Sequence, residues 1–259
     1  MSRPGLTRRK LIGLAGIGAG AFALGQYLRQ GQPLGTDISE LLDVSALASA
    51  PGYPSEGPSD APVTALVFSD YACGVCRRTE PAWREAVAEA GDTRVVYRDW
   101  PILGEPSRQA ARAALAADRQ GVHAAFHRAL IRSGRLTESG IRAALAEAGG
   151  DWARLQSDLG KHGAEIDALL ARTARDAFQL ALRGTPAFLV GPIRIEGGAS
   201  IRQFAEAISR ASARQAPSSR RNFARPARRA DPWEHDARLL PAGPARPAAQ
   251  RPLHATVPP

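Results

Sequence analysis

The chain carries two different periodicities of apolar residues. Short runs rich in β-branched and aromatic residues predict strands, and apolar residues that recur every three or four positions predict helices. The predicted strands are 63–68, 93–98, 187–190 and 193–195. Helical spacing follows the first strand to about Ala90, fills 106–182 and returns after Ser200. The order predicts an α/β fold, with strand–helix–strand first, a block of helices next, and strand–strand–helix last.

Five helices are predicted inside the block 106–182. Glycines between the apolar runs serve as the predicted breaks. In particular, Gly160 and Gly163 separate a short fourth helix near Trp152 from a long fifth helix that holds Ile166 and Leu170.

The only two cysteines, Cys73 and Cys76, follow the first predicted strand and open the helix after it. A helix N-terminus presents free N–H groups and the positive end of its dipole. We expect the N–H groups near Gly74 and Val75 to stabilise a thiolate at Cys73, whose pKa would lie below the ~8.5 of a free thiol. Cys76, one turn later, would close a disulfide with Cys73, so that one sulfur is an exposed nucleophile and the other a buried resolving partner.

Other uses of a C-x-x-C pair have less support in this chain. A zinc site usually takes four ligands, and no second Cys or His pair stands at ligand spacing. Attachment of c-type haem requires His after the second cysteine, where Arg77 stands. His123 and His127 share a helix face without a carboxylate, a pattern more typical of packing than of a metal ligand pair. We therefore expect no metal.

Asp70 lies near the end of the first strand, three residues before Cys73. A carboxylate at this place is a candidate acceptor for the proton of the resolving thiol. The alternative is an ordinary capping residue that binds free N–H groups ahead of the helix.

These residues carry a resemblance to a known family. The stretch Phe68–Tyr71, followed by Cys-x-x-Cys, resembles the active-site segment of DsbA-family, thioredoxin-like thiol–disulfide oxidoreductases. Pro81 matches the proline of their active-site helix, Thr185-Pro186 resembles their cis-proline loop, and Arg98–Gly104 resembles their entry into a helical insertion. The resemblance extends over about 36–211.

The resemblance implies a thioredoxin-like fold, β-α-β followed by β-β-α, with a DsbA-like helical subdomain at about 106–182. It implies catalysis by Cys73 and Cys76 without an organic cofactor. It also implies a cis bond before Pro186, so that the backbone of Thr185 binds an extended protein substrate as an added strand does. A membrane redox partner would reset the cysteines.

The dipeptide between the cysteines differs from that of strong oxidants. DsbA oxidants carry Pro-His there and reducing thioredoxins carry Gly-Pro, whereas this chain has Gly74-Val75. Because a histidine that would stabilise the thiolate is missing, we expect a less oxidising site than that of DsbA.

Charge is distributed unevenly along the 259 residues. Residues 1–35 carry five basic and no acidic side chains, 212–259 carry nine and three, and the middle carries 20 and 22. The net charge of +9 therefore belongs to the ends, and we expect no nucleic-acid binding by the domain. We interpret 1–30 as an export signal of twin-arginine type or a membrane anchor, 31–62 as a linker, 63–211 as the domain, and 212–259 as an Arg/Pro-rich disordered tail.

The whole pattern predicts an exported oxidoreductase, periplasmic or otherwise extracytoplasmic, with a possible anchor in the inner membrane. Its partners would be exported proteins with thiols or disulfides. Two other functions remain open at this point. One is a metallochaperone that binds copper or zinc through both thiolates. The other is a non-catalytic module that binds peptides at Pro186.

Overall fold

A six-stranded sheet lies at the centre of residues 34–39 and 44–215, the part of the chain that the computed structural model describes. Its strands are β1 (Thr36–Asp37), β2 (Ser55–Glu56), β3 (Val63–Ser69), β4 (Thr93–Asp99), β5 (Ala187–Val190) and β6 (Ile193–Glu196). The spatial order is β1-β6-β5-β3-β4-β2. Strands β3 and β4 are parallel, and every other neighbouring pair is antiparallel. The predicted thioredoxin-like α/β arrangement is confirmed.

Seven helices are present in the described residues. They are α1 (Val44–Ala48), α2 (Gly74–Ala90), α3 (Glu105–Asp118), α4 (His123–Ser133), α5 (Glu138–Glu147), α6 (Trp152–Gln179) and α7 (Ile201–Gln215). Side chains of β3 alternate between the two faces of the sheet, as a strand requires. Val63 and Val67 face a core that includes Trp83 of α2 and Phe204 of α7. Leu66 and Phe68 face a second core with α1 and the end of α6.

The inserted block forms a third core of its own. Alanines of α3 pack with Phe126 and Leu130 of α4, Ile141 of α5 and Leu155 of α6. Cys73 and Cys76 belong to the same core, so the helical layer covers the end of β3 where they lie.

Helix α6 differs from the prediction. It runs without interruption from Trp152 to Gln179, so the predicted fourth and fifth helices are one. Gly160 and Gly163 lie inside it. A glycine inside a helix costs only about 1 kcal/mol relative to alanine. This cost does not end a helix whose residues before and after the glycine are packed in the core. Leu155 and Ile166 are both buried in the helical core and supply that packing.

The segment 31–62, interpreted as a linker, also differs. Thr36–Asp37 pairs with β6 and Ser55–Glu56 pairs with β4, so this segment provides both edge strands of the sheet. Each strand is only two residues long, which is too short for apolar alternation to show. The folded unit therefore begins before residue 63, and α7 continues past 211 to Gln215.

The predicted signal or anchor at 1–30 and the tail from 216 onward lie outside the described residues. Among the helices that are described, none is long and apolar enough to cross a membrane.

A buried ion pair joins the helical block to the sheet. Arg98 of β4 is fully buried and lies 3.0 Å from the carboxylate of Asp176 on α6. Its guanidinium group also donates to the carbonyl of Leu47 and stacks 3.6 Å from the centre of the Tyr53 ring. Three separate segments thus converge on one cation.

Removal of one partner of this pair should be costly, because a buried charge without its counter-ion keeps its full desolvation penalty. We expect Asp176→Asn to lower the free energy of unfolding by about 3 kcal/mol. The measurement is urea unfolding followed by circular dichroism. Glu147→Gln, which removes the partner of Arg132 in a solvent-exposed pair, is the matched control and should cost less than about 1 kcal/mol. Equal losses in both variants would contradict this account of Arg98.

Candidate redox site

The register of the sheet brings the two halves of the site together. Phe68 near the carboxyl end of β3 is paired with Ala187 at the start of β5. Residues just after Phe68 and just before Ala187 therefore meet at the same edge of the sheet. Cys73 is one of the former and Thr185 one of the latter, and the Cys73 Sγ lies 3.4 Å from the carbonyl oxygen of Thr185.

Cys73 caps the helix that carries its partner. It has extended backbone angles, φ −74° and ψ 114°, and occupies the N-cap position of α2. Its sulfur accepts a hydrogen bond from the Cys76 backbone N–H at 3.3 Å. The sulfur thus takes the place of the side-chain oxygen that usually satisfies a free N–H group at a helix start. The two cysteines are free thiols in this arrangement.

The two thiols have opposite acidities. Burial would raise the pKa of Cys73, but hydrogen bonds from Cys76, Thr185 and the Val75 N–H outweigh it and hold the pKa below its ordinary value. Burial raises the pKa of Cys76 to about 12, and the neighbouring Cys73 adds to the effect. An arrangement with one acidic and one very weakly acidic thiol suits a nucleophile followed by a resolving group.

Exposure separates the cysteines less than expected. Cys73 is 7% exposed and Cys76 is 3% exposed, so both side chains are buried. Cys73 lies at the surface end of the helical core, next to the exposed Val75.

The bond between Thr185 and Pro186 is cis, as expected from the resemblance. The Pro186 carbonyl accepts from the Gly197 N–H at 2.8 Å, which ties the loop to the turn after β6. The Cys73 thiol donates to the carbonyl oxygen of Thr185, and the proximity of Thr185 lowers the pKa of both cysteines.

Asp70 holds a loop instead of capping α2. One oxygen accepts from the Ala72 N–H at 2.7 Å and from the Ser107 hydroxyl. The other accepts from the N–H groups of Ile102 and Leu103, at 2.8 and 3.0 Å. The carboxylate thus binds the segment before the cysteines to the start of the helical block, and its interpretation as a cap of the active-site helix is wrong, since Cys73 occupies that position. Its role as a proton acceptor stays a prediction.

Gly74 has a different neighbourhood from the one expected. The N–H groups near the Cys73 sulfur belong to Val75 and Cys76. A Cβ at Gly74 would lie 3.4 Å from the Arg78 Nη1 and 3.9 Å from the Arg77 Nη2. Two guanidinium groups therefore lie over the start of α2.

Comparison with known proteins agrees with this geometry. Residues 64–209 match the DSBA-like thioredoxin domain family. The chain belongs to that family. A thioredoxin-like oxidoreductase from Silicibacter pomeroyi has a similar structure, with a TM-score of 0.62 and 38% sequence identity over 68% of this chain and 99% of that one. The thiol-disulfide exchange protein alpha-DsbA2 from Wolbachia pipientis has the same TM-score, 0.62, at 23% identity over 67% of this chain and 92% of its own, which supports the fold.

Part of this DsbA-like chain is also similar to a larger protein. It is 30% identical over 160 residues to the Na⁺/H⁺ antiporter NhaA 1 of Salinispora arenicola. The aligned residues are 61% of this chain but 24% of that protein, so the chain spans about a quarter of its length. Transport is therefore not inferred from this similarity.

A cluster of buried polar side chains lies next to the redox site, and the sequence did not predict it. The Tyr71 hydroxyl and the His127 Nδ1 share a hydrogen bond of 2.9 Å, and the His127 Nε2 lies 3.7 Å from the Glu80 carboxylate. The ring of Tyr97 packs against His127, with centroids 4.6 Å apart. Asp99, 2% exposed, ends β4 beside this group. The spacing of His123 and His127 was the only sequence signal for this cluster.

The cluster changes how these side chains ionise. Burial raises the pKa of Asp99 to about 7, with Asp70 adding to the effect, while His127 and Tyr71 oppose it. Burial likewise lowers the pKa of His123, so that its ring is neutral near pH 7. Among 34–39 and 44–215 no group of three or more His, Cys, Asp or Glu side chains is arranged to hold a metal ion.

The raised pKa of Asp99 predicts a pH-dependent stability effect. The unfolded value is about 3.9, so the folded state binds an extra proton between pH 4 and 7, and stability from this group is lost as pH rises through about 7. Asp99→Asn removes the charged form, so its stability relative to wild type should increase from pH 5 to pH 8. Urea unfolding of both proteins at each pH measures the difference. Asp92→Asn on the surface is the control, and a difference for Asp99→Asn that did not change with pH would contradict the assignment.

Proposed function

We propose that this DsbA-like protein forms, reduces or exchanges disulfides in exported proteins through Cys73 and Cys76. Membership of the DSBA-like thioredoxin domain family supports activity as a protein-disulfide oxidoreductase. The observation that carries the assignment of roles is the contrast between the two sulfurs. The sulfur of Cys73 accepts a hydrogen bond from an N–H group of its own helix. The thiol of Cys76 is more deeply buried, and its pKa is raised to about 12.

In the oxidising direction, a substrate thiolate attacks the Cys73 sulfur of the Cys73–Cys76 disulfide. The S–S bond breaks, and Cys76 leaves as a thiolate that takes up a proton. A second substrate thiolate then attacks the substrate sulfur of the mixed disulfide and releases the Cys73 thiolate. Two electrons pass from the substrate to the protein, and no metal or organic cofactor takes part.

In the reducing direction, the Cys73 thiolate attacks a substrate disulfide and Cys76 resolves the mixed disulfide. The carbonyl beside Cys73, that of Thr185, would accept a hydrogen bond from the extended client backbone, and Pro186 would keep the loop free of a competing N–H. A redox partner in the membrane would restore whichever form the reaction consumes.

The location of the reaction follows from the N-terminal segment. The basic residues before Leu11 and the apolar run after it are typical of an export signal, with Arg8-Arg9 in the twin-arginine position. An extracytoplasmic compartment is oxidising and lets a C-x-x-C pair exchange disulfides with clients. We place the domain there, with retention of 1–30 as an anchor in the inner membrane as part of the proposal.

Alkylation tests the assignment of the nucleophile. In Cys76→Ser, the reaction of Cys73 with iodoacetamide should show a midpoint below pH 8.5, because the helix N–H groups stabilise the thiolate. The reaction is followed by mass spectrometry across a pH series, with free cysteine as the reference. A midpoint equal to that of free cysteine would contradict the role of Cys73.

Activity and binding can be separated with the same variants. Cys73→Ser should lose thiol-dependent insulin reduction, and Cys76→Ser should accumulate a mixed disulfide with the client, because its resolving thiol is absent. The double variant Cys73→Ser with Cys76→Ser lacks both sulfurs. If it still bound clients and affected their refolding as the wild type does, the protein would be a non-catalytic peptide-binding module and not an enzyme.

The redox potential is the second measurable consequence. Because Val75 stands where a strong oxidant has histidine, we expect a potential more negative than the about −120 mV of DsbA. Equilibration with glutathione buffers, followed by alkylation and mass spectrometry, gives the value. Val75→His should shift it in the oxidising direction, and Val75→Leu is the control that changes the side chain without adding a donor. A wild-type value at that of DsbA would overturn the expectation.

A further inference from the structure

Arg77 and Arg78, which lie one turn after Cys73 on α2, have no acidic partner among the described residues. The distances to a Cβ built on Gly74 place the Arg78 Nη1 and the Arg77 Nη2 over the residue that follows Cys73. Across residues 34–39 and 44–215, ion pairs form at many arginines, but neither Arg77 nor Arg78 takes part in one. Two positive charges therefore stand beside the reacting sulfur.

Arg77 is held in place by the backbone. Its guanidinium group lies 3.5 Å from the Tyr71 carbonyl, to which it donates. It also lies against Gly134, the C-cap of α4, where a Cβ would come within 2.6 Å of the Arg77 Nη1. Gly134 has φ 60°, so glycine is favoured there both by the backbone and by the space that Arg77 fills. Arg78 is exposed and is free to reach a bound molecule.

The carboxylates near these arginines are already engaged. Asp70 is buried and accepts hydrogen bonds from Ala72, Ser107 and the loop at Ile102. Glu80 points to His127 inside the cluster. Across the site, Arg183 before the cis-proline loop is paired with Glu196. The exposed Arg78 and the half-buried Arg77 are thus left without an acidic partner beside the residue that follows Cys73.

The hydrogen bonds that lower the pKa of Cys73 come from Cys76, Thr185 and Val75, not from the arginines. Hydrogen bonds within the site thus stabilise the thiolate, whatever the two guanidinium groups add. Charge at the mouth of a site acts on the approaching partner, through steering and through pairing in the encounter complex.

We propose that Arg77 and Arg78 select clients whose reacting cysteine is flanked by acidic residues. The inference rests on the proposed function, because it names the client chemistry for the same sulfur. Carboxylates on either side of the client cysteine pair with the two guanidinium groups when the client disulfide reaches Cys73. Lysine or arginine at those positions is repelled.

The test uses the reduced full-length protein and three peptides. The peptides are identical except that Glu, Gln or Lys flanks a single cysteine, which is present as a mixed disulfide with 2-thiopyridine. The Cys73 thiolate attacks the peptide sulfur, the S–S bond to the pyridine breaks, and 2-thiopyridine leaves and takes up a proton. Cys76 then loses its proton, attacks the Cys73 sulfur and releases the peptide thiol, so two electrons from the dithiol reduce one disulfide. The absorbance of the released thiopyridine gives the rate.

In the wild-type protein, the Glu peptide should react about tenfold faster than the Lys peptide at low ionic strength, because two unit charges a few ångströms apart interact appreciably even in water. The ratio should fall as salt is added, since salt screens exposed charges. Arg77→Gln with Arg78→Gln should bring the ratio close to one, and Arg78→Gln alone should bring it part of the way. Arg77→Lys with Arg78→Lys should restore a ratio above one.

Arg175→Gln on α6, which removes one positive charge from another surface of the protein, is the control for Arg78→Gln alone and should keep the wild-type ratio. The pH midpoint for iodoacetamide should stay below 8.5 in Arg77→Gln with Arg78→Gln, because the hydrogen bonds to the Cys73 sulfur remain. A ratio near one in the wild type, an unchanged ratio in the double variant, or a loss of preference that tracks a shift in the Cys73 midpoint would overturn the proposal. If the Gln peptide reacts no faster with the protein than with free cysteine, the proposed function itself fails, so the two failures are distinguishable.

Discussion

The hydrogen bond from the Cys76 N–H to the Cys73 sulfur is the interaction on which the site depends. It exists because β3 ends just before α2 begins, so that the first cysteine is the N-cap and the second lies one turn inside. The same turn exposes one sulfur to the helix N–H groups and surrounds the other with apolar side chains. Opposite shifts of two thiol pKa values thus arise from one backbone geometry and do not require a charged side chain at either sulfur.

The sheet supplies the second requirement, a backbone acceptor beside the nucleophile. Pairing of β5 with β3 in the register Phe68–Ala187 leaves Thr185 opposite Cys73. A shift of one residue in that register would turn the side chains of β5 to the other face and carry the cis-proline loop away from the sulfur. The two faces of β5 pack into different cores, with Phe188 on one and Leu189 on the other, and a shift would exchange side chains of different shape between them. The packing of the sheet therefore maintains the chemistry of the site.

Periodicity and spacing predicted β3, β4, β5 and β6 almost to their ends, and the C-x-x-C position at the start of α2. What they missed depends on tertiary contacts. The edge strands are too short to carry a pattern, and the continuity of α6 depends on its burial against α3, which outweighs the cost of Gly160 and Gly163. The bonds of Asp70 to Ile102 and Leu103 join residues that are more than 30 positions apart, so no local pattern reveals them.

The two sides of α2 place charged side chains in different surroundings: Glu80 lies in a buried polar cluster, and Arg77 and Arg78 lie near the surface beside Cys73. On the inner side, Glu80 meets His127 next to Tyr71, in surroundings where an unpaired charge is costly. On the outer side, Arg78 is exposed and its charge is solvated by water, while the half-buried Arg77 donates to the Tyr71 carbonyl. Several other described arginines also lack an acidic partner, and what distinguishes Arg77 and Arg78 is their position beside Gly74, the residue that follows Cys73. The charge of a client can therefore affect the encounter at Arg77 and Arg78, while the Cys73 sulfur keeps the hydrogen bond from its own helix.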